Sequence, residues 1–202
     1  MEVVKDLQRQ IAEHEDMQAY KELYMLLFDG LHRFSFSLVK SREGAEEIVS
    51  DVFIKLWQIR SQLLQIDNLK AYLYTIARNF SLNYIEKNAR NPASQLHDVD
   101  IETVVEFNSP EDLFISNETI KGIEQVVQGL PTQCKIVFQL VKEEGLKYKE
   151  VAAVLNISVF TVRNQMSIAT KKIGDALSYR VSNRYGLVIP NLIRGSSPVQ
   201  TG

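Results

Sequence analysis

The stretch LKYKEVAAVLNISVFTVRNQMSIATKKI, residues 146–173, decides the fold of the C-terminal part of this chain. Its first half predicts a helix over 148–155, because apolar residues recur there at the spacing of one buried stripe: Val151, Ala152 and Leu155. Asn156 follows, and asparagine tolerates a positive φ better than most residues, so we expect a turn there. Ser158 can cap a second helix, since its hydroxyl accepts a free backbone N–H. The pattern predicts two helices joined by a tight turn.

The second helix has two contrasting faces. Its apolar residues recur at helical spacing and predict a buried face: Val162, Met166, Ala169 and Ile173. The opposite face is mostly polar and cationic: Phe160, Arg163, Asn164, Ser167 and Lys171. Arginine suits guanine and asparagine suits adenine in the major groove, whereas Lys171 and Lys172 suit phosphates. This arrangement is typical of a DNA-reading helix-turn-helix, although a helical hairpin with a solvated cationic face gives the same pattern.

The composition is that of an ordinary globular protein. The 202 residues are 45% hydrophobic and 24% charged, which suits one large domain or two small ones. The single cysteine, Cys134, excludes an internal disulfide and a cysteine zinc cluster, and its apolar helix face indicates a small core residue. The chain has neither a signal-peptide pattern nor a window of about eighteen apolar residues, so we expect a cytoplasmic protein.

Charge is segregated along the chain, although the formal net charge is only −2. Residues 1–90 contain 12 basic and 13 acidic residues. Residues 91–129 contain one lysine and 8 acidic residues, whereas residues 130–180 contain 8 basic and 4 acidic residues. Because the distribution of charge matters more than its sum, a basic C-terminal unit behind an acidic connector is compatible with a nucleic-acid partner.

Helical periodicity also dominates the first ninety residues. The stretch from Leu7 to Val39 predicts one long helix or two abutting ones, and Ser41 can cap the next, over 42–60. A polar loop is expected over 61–68. In the helix that follows, up to Arg90, aromatic residues are interleaved with Arg, Lys and Asn, a surface that can stack unpaired bases and hold phosphates. An amphipathic helix with tyrosines at its rim is the alternative.

Residues 91–116 break the helical pattern. Two prolines and several acidic residues predict a flexible acidic linker there. Amphipathic helices are then expected up to Gly129 and from Pro131 to Glu144, closed by Gly145. The sequence therefore predicts an all-α protein of two small helical domains, with these boundaries: domains 1–90 and 117–178, a linker 91–116 and a polar tail 179–202.

Four motifs in one order carry a resemblance: AEEIVSDVFIKLW (45–57), AYLYTIARN (71–79), Leu130-Pro131 and EVAAVLNISVFTVRNQM (150–166). Together they resemble the bacterial sigma-70 family of sigma factors, specifically its extracytoplasmic-function group, over about residues 15–178. The resemblance implies a promoter-melting helical bundle followed by a helix-turn-helix domain. No phosphate-cradling, metal-ligand or nucleophile motif occurs, so we expect no catalysis, no cofactor and no metal.

The resemblance implies three groups of contact residues. The helix over 45–60 would dock on the clamp helices of the RNA polymerase β′ subunit, through Glu46, Glu47, Asp51, Lys55, Trp57 and Gln58. The loop and helix over 60–87 would hold the melted minus-10 strand and a flipped base, through Arg60, Leu63, Tyr72, Tyr74, Arg78, Asn79, Asn83 and Lys87. The helix-turn-helix would read the minus-35 element through Ser158, Phe160, Thr161, Arg163, Asn164, Ser167, Lys171 and Lys172.

The resemblance also implies partners. The chain would bind core RNA polymerase, touching its β-flap with the earlier helices of the C-terminal domain, and would be controlled by an anti-sigma factor. Two alternatives remain open from the sequence. A stand-alone helix-turn-helix transcriptional regulator would bind promoter DNA without polymerase, which leaves the front domain unexplained. A helical interaction protein, or anti-sigma-like adaptor, would need no DNA and would keep its activity if Arg163 and Asn164 were both replaced by alanine.

Overall fold

The computed structural model describes residues 2–89 and 125–185, with side chains described up to residue 176. Every regular element in these ranges is helical, which confirms the all-α class. The N-terminal part contains α1 (Glu2–His14), α2 (Met17–Val39), α3 (Arg42–Gln58), a 3-10 helix (Arg60–Gln65) and α4 (Leu69–Ala89). The C-terminal part contains α5 (Thr132–Phe138), one turn of π-helix (Gln139–Glu143), α6 (Tyr148–Leu155) and α7 (Val159–Tyr185). The predicted linker, 91–116, lies outside the described residues.

The first periodic stretch forms two helices, α1 and α2, instead of one. The chain breaks at Glu15, which has a φ of 49°. Asp16 then caps α2, because its carboxylate accepts the backbone N–H groups of Gln18 and Ala19 at 2.7 and 3.2 Å. Local capping therefore decides between the two possibilities that periodicity left open.

Helices α2, α3 and α4 pack against one another, and α1 lies against α2 and the 3-10 helix. Ser41 caps α3 as predicted, since its hydroxyl accepts the N–H of Gly44 at 3.1 Å. The apolar band of α3 faces the core, and each large side chain buried there contributes about 1.5–3 kcal/mol relative to exposure. Fully buried members of this core are Leu23, Leu31, Phe34, Val49, Leu56 and Leu73.

The segment predicted as a loop over 61–68 contains a 3-10 helix instead. Leu63 points into the core with 0% of its surface exposed. The buried side-chain amide of Gln8, on α1, donates to the backbone carbonyls of Leu63 and Ile66 at 2.6 and 2.9 Å. Because Gln8 of α1 satisfies these two carbonyls, the segment is ordered although its own sequence has no helical periodicity of apolar residues.

In the C-terminal part, α5 packs against α7. Cys134 lies in this contact with 2% of its surface exposed, which confirms it as a core residue. The helix predicted from Pro131 to Glu144 differs from the structure, because its second half is a turn of π-helix; Gly145 follows with a φ of 69°, as a C-terminal cap requires. Helix α7 extends to Tyr185, beyond the predicted end at Ser178.

The two helical parts share one core. Helix α6 packs against α4, and α5 approaches α2. One continuous cluster of buried side chains includes Leu73 and Ala77 of α4 together with Leu140, Val151 and Val154 of the C-terminal part. Because burial of apolar surface is the dominant stabilising term in folding, the two parts form a single packed unit in this conformation.

Candidate nucleic-acid interface

Helices α6 and α7 form the predicted helix-turn-helix. Asn156 ends α6 in the left-handed region, with φ 54° and ψ 48°, as expected from its tolerance of positive φ. The hydroxyl of Ser158 accepts the backbone N–H of Thr161 at 2.9 Å and thereby caps α7. The turn predicted from the sequence is therefore present, and it fixes which side of α7 faces α6.

The two faces of α7 separate as predicted. Val162, Met166 and Ala169 are at most 3% exposed and form the inner face, whereas Ile173 is half-buried. The outer face carries the remaining candidates: Phe160, Arg163, Asn164, Ser167, Lys171 and Lys172 are exposed and Thr161 is half-buried. Within the described side chains, none of the cations on this face forms an ion pair. The face is thus an open surface of bidentate donors and point charges.

Helix α4 presents a second polar stripe. Asn79, Asn83 and Lys87 are exposed and follow one another at intervals of four residues, so that they lie on one side of the helix. Arg78 is half-buried beside them, and its Nη1 lies 3.4 Å from Oδ1 of Asn79. Tyr72 is half-buried on the same helix. Four of the eight predicted minus-10 residues, Arg78, Asn79, Asn83 and Lys87, are therefore close together along one helix.

Two predicted strand contacts require correction. Leu63 is 0% exposed, because the 3-10 helix turns it toward α1, and the neighbouring Leu64 is 56% exposed instead. Tyr74 is 1% exposed, because the C-terminal part covers that side of α4, and its ring meets Phe34 edge-on at 5.2 Å. Burial, and then the negative charge of Glu144, raise the pKa of the Tyr74 hydroxyl well above its usual value. In this conformation neither Leu63 nor Tyr74 can touch a DNA strand.

Arg60 is held by partners within the chain. Its Nη2 lies 2.9 Å from a carboxylate oxygen of Glu15, and its Nη1 donates to the carbonyl of Trp57 at 3.1 Å. The guanidinium also lies over the Trp57 ring, 4.9 Å from the centroid. Trp57 in turn meets Tyr20 edge-on at 5.2 Å. These contacts orient the start of the 3-10 helix.

The outer side of α3 is the third predicted surface. Five of its six candidates are exposed, and Trp57 is half-buried: Glu46, Glu47, Asp51, Lys55 and Gln58 are the exposed five. Ile54, which the sequence analysis missed, is 53% exposed on the same helix. A single exposed apolar residue is common on protein surfaces and does not by itself mark an interface; its position outside the apolar band of α3 could be read from the sequence.

Neither a metal site nor a membrane-spanning helix is present in the described parts of the chain. Across residues 2–89 and 125–176, no group of three or more His, Cys, Asp or Glu side chains is placed to hold a metal ion. Among the described helices, none combines the length and the apolar character needed to cross a membrane.

Comparison with known proteins matches both parts of the chain to family models. Residues 23–91 match Sigma-70 region 2, and residues 120–173 match Sigma-70, region 4. The two matches together cover more than half of the chain, and they contain α4 and the helix-turn-helix respectively.

Two relatives agree with these matches. The ECF RNA polymerase sigma-E factor of Escherichia coli K12 is 27% identical over 134 residues, which are 63% of this chain and 70% of that protein. The ECF RNA polymerase sigma factor SigE of Mycolicibacterium smegmatis is 22% identical over 162 residues, 80% of this chain and 63% of that protein.

Two solved structures share the fold. The sigma factor RpoE of Bartonella quintana, crystallised with the anti-sigma factor NepR, superposes with a TM-score of 0.55 at 23% identity, covering 80% of this chain and 98% of that one. CnrH, in complex with the cytosolic domain of CnrY, gives a TM-score of 0.53 at 18% identity, with coverages of 88% and 98%. The chain therefore belongs to the sigma-70 family and to its extracytoplasmic-function group of alternative sigma factors, which direct transcription initiation.

Proposed function

We propose that three surfaces of this chain divide the work of promoter recognition. Helix α3 contacts the β′ clamp helices of core RNA polymerase, α4 with the 3-10 helix holds the melted minus-10 strand, and α7 reads the minus-35 element. The observation that carries this proposal is the exposed polar face of α7, which is supported from behind by a correctly capped helix-turn-helix. The domain boundaries predicted above, 1–90 and 117–178, assign one DNA element to each part.

The proposal for α7 follows from its outer face. Arg163 and Asn164 are exposed and carry the side chains that pair bidentately with guanine and adenine in the major groove. Ser158, Phe160, Thr161 and Ser167 flank them and would shape the contact. Lys171 and Lys172, about two turns further along the helix than Arg163 and Asn164, would hold phosphates and set the register. The earlier helix α5 would contact the β-flap of the polymerase.

The proposal for the minus-10 element concerns an unpaired strand. Flipping a base out of the duplex requires a few kcal/mol, which the protein must offset with a pocket and stacked rings. The exposed amides of Asn79 and Asn83 can hydrogen-bond to base edges, while Arg78 and Lys87 can hold the backbone. Tyr72 and the exposed Leu64 would provide the apolar contacts. Arg60, oriented by Trp57, would mark the edge of this site.

The proposed partners follow from these surfaces. Core polymerase and promoter DNA are the two macromolecules that α3, α4 and α7 would bind, and the chain would act in the cytoplasm, where both occur. It would need no cofactor and would catalyse no reaction, since the polymerase supplies the chemistry. An anti-sigma factor is a third proposed partner, because both structural relatives were solved with one or with a corresponding cytosolic domain bound.

Run-off transcription with purified core polymerase tests the proposal. Genomic fragments are transcribed with and without the chain, and start sites that appear only with the chain support it. The double variant Arg163→Ala and Asn164→Ala is expected to lose promoter-specific starts. Lys5→Ala, which removes an exposed cation on α1 outside both family matches, is the matched control and should keep them.

Binding to the same promoter fragments, measured with and without core enzyme, distinguishes the proposal from a stand-alone regulator. A stand-alone regulator predicts specific binding to the promoter fragment without polymerase, whereas a sigma factor predicts specific binding only in the presence of core enzyme. If the chain neither binds core polymerase nor creates new start sites on any fragment, the proposal is wrong. If both occur but the double variant is fully active, the assignment of the minus-35 contacts to α7 fails.

A further inference from the structure

A cluster of charged side chains joins the two helical parts. Arg33 of α2 lies 3.6 Å from Glu143 and 3.5 Å from Glu144, measured between guanidinium nitrogen and carboxylate oxygens. Lys70 of α4 lies 2.8 Å from the other carboxylate oxygen of Glu144. The Glu144 side chain is only 8% exposed, so two cations of the N-terminal part enclose one carboxylate of the C-terminal part.

Gly30 permits this close approach. A Cβ placed on Gly30 would come closer than 3.0 Å to both the Tyr74 hydroxyl and the Glu144 carboxylate. Gly30 lies inside α2, where glycine is less favourable to the helix than alanine by roughly 0.5–1 kcal/mol. The helix itself therefore gains nothing from glycine at this position, whereas any larger residue would have to displace the Tyr74 hydroxyl and the Glu144 carboxylate from their present contact.

The charges in this contact make it more readily separated than a contact formed by the shared apolar core alone would be. Removing charges from water is expensive, and a buried ion pair is often no more stabilising than apolar residues of the same size. Burial raises the pKa of Glu143 although Arg33 acts in the opposite direction, so desolvation outweighs this attraction. A cleft of about 190 Å³ between α2 and α5, lined in part by Arg33 and Glu143, also leaves this side incompletely packed.

We propose that Gly30, Arg33 and Lys70 form a docking surface for the Glu143–Glu144 turn, and that this contact holds the free chain in a closed form. The closed form covers Tyr74, which lies between Phe34 and Glu144. Separation of the two parts uncovers the side of Tyr74 that faces Glu144, on the helix assigned above to the melted strand, while Phe34 of α2 keeps its contact with the ring. Opening would therefore prepare the chain for promoter binding. This consequence alone rests on the proposed function.

Small-angle X-ray scattering of the free full-length chain tests the closed form. The wild type should be compact at low salt. Glu144→Lys and Lys70→Glu should each increase the radius of gyration, because like charges then face each other across the contact. The ratio of closed to open chain should fall about tenfold in either variant, since each replaces an attraction by a repulsion at a site where the Glu144 side chain is only 8% exposed. The double variant, which reverses the Lys70–Glu144 pair, should be more compact than either single variant.

A steric variant keeps the test independent of charge and of misfolding. Gly30→Ala should open the chain while circular dichroism shows an unchanged or slightly higher helix content, because alanine favours α2 itself. Glu13→Lys makes the same charge change as Glu144→Lys at an exposed site on α1 and should remain compact. If the wild type is already extended at low salt, or if Gly30→Ala and Glu144→Lys both stay compact, the inference is overturned.

A second readout connects the closed form with function. Opened variants should bind core polymerase more tightly by the factor by which the open fraction rises, about tenfold, because the apparent affinity is reduced by the fraction that is competent to bind. Opened variants that bind core polymerase no better than wild type would overturn the link between opening and assembly. A chain that opens as expected but never binds polymerase would leave the docking surface intact and refute the proposed function instead.

Discussion

Replacing Tyr74 with phenylalanine should not destabilise the protein at neutral pH. Tyr74 is 1% exposed, and although its hydroxyl lies beside the Glu144 carboxylate, within the described chain no contact of the hydroxyl has the geometry of a hydrogen bond. A buried polar group without a partner carries a desolvation penalty of about 1–3 kcal/mol. Tyr74→Phe removes that group and keeps the ring that packs on Phe34. We expect the free energy of unfolding to stay unchanged or to rise, by at most about 2 kcal/mol.

The same substitution should change how stability depends on pH. Burial, followed by the charge of Glu144, raises the pKa of the Tyr74 hydroxyl well above its usual value of 10.0. Below pH 10.0 the hydroxyl is protonated in both the folded and the unfolded chain, so it adds no pH dependence. Above this value only the unfolded chain releases the proton, and stability falls by up to about 1.4 kcal/mol per pH unit. Phenylalanine removes this loss.

Urea unfolding of both proteins, followed by circular dichroism from about pH 7 to about pH 11, measures the effect. The difference in unfolding free energy between the two proteins isolates Tyr74, because every other titrating group is common to both. The difference should be flat up to about pH 10 and should then grow in favour of the variant. A loss of more than about 1.5 kcal/mol at neutral pH would mean that the hydroxyl has a strong partner. A difference that stays flat to the highest pH would refute its burial.

Three further predictions concern the C-terminal part. Ser158→Ala should lower the free energy of unfolding by about 1 kcal/mol in urea titrations, because the cap on α7 is lost. Leu140→Ala should lower it by about 2–5 kcal/mol and should shift unfolding of both helical parts together, since Leu140 is fully buried in the core that they share. In promoter binding by the holoenzyme, Arg163→Ala should reduce discrimination at one base pair by about 1–3 kcal/mol. Lys171→Ala should instead weaken binding to all promoter sequences equally, and should lower the slope of the log binding constant against log salt concentration by about one.

Local signals predicted the helix-turn-helix accurately. The left-handed turn at Asn156 and the cap at Ser158 depend on backbone geometry within a few residues, so the residue types suffice to predict them. The two faces of α7 were predictable for the same reason, because helical periodicity places Val162 and Met166 on one side and Arg163 on the other.

Two residues predicted for a minus-10 site, Leu63 and Tyr74, are buried because of tertiary contacts. Periodicity in α4 put Tyr74 on an outer face. In the structure its ring packs on Phe34 of α2, and the C-terminal part covers the rest of it. In the 3-10 helix the distinction between buried Leu63 and exposed Leu64 depends on the position of α1, which no repeat in the local sequence encodes.

The sequence by itself determined the all-α class, the caps at Ser41 and Ser158 and the exposed polar face of α7, because each depends on interactions that span only a few residues. Only the tertiary structure decided that the two helical parts share one core, and that Arg33 and Lys70 enclose Glu144. Arg33 and Glu144 are more than one hundred residues apart, and all three side chains would be ordinary solvated charges on isolated helices. Their pairing depends on how the helices dock, which sequence periodicity does not specify.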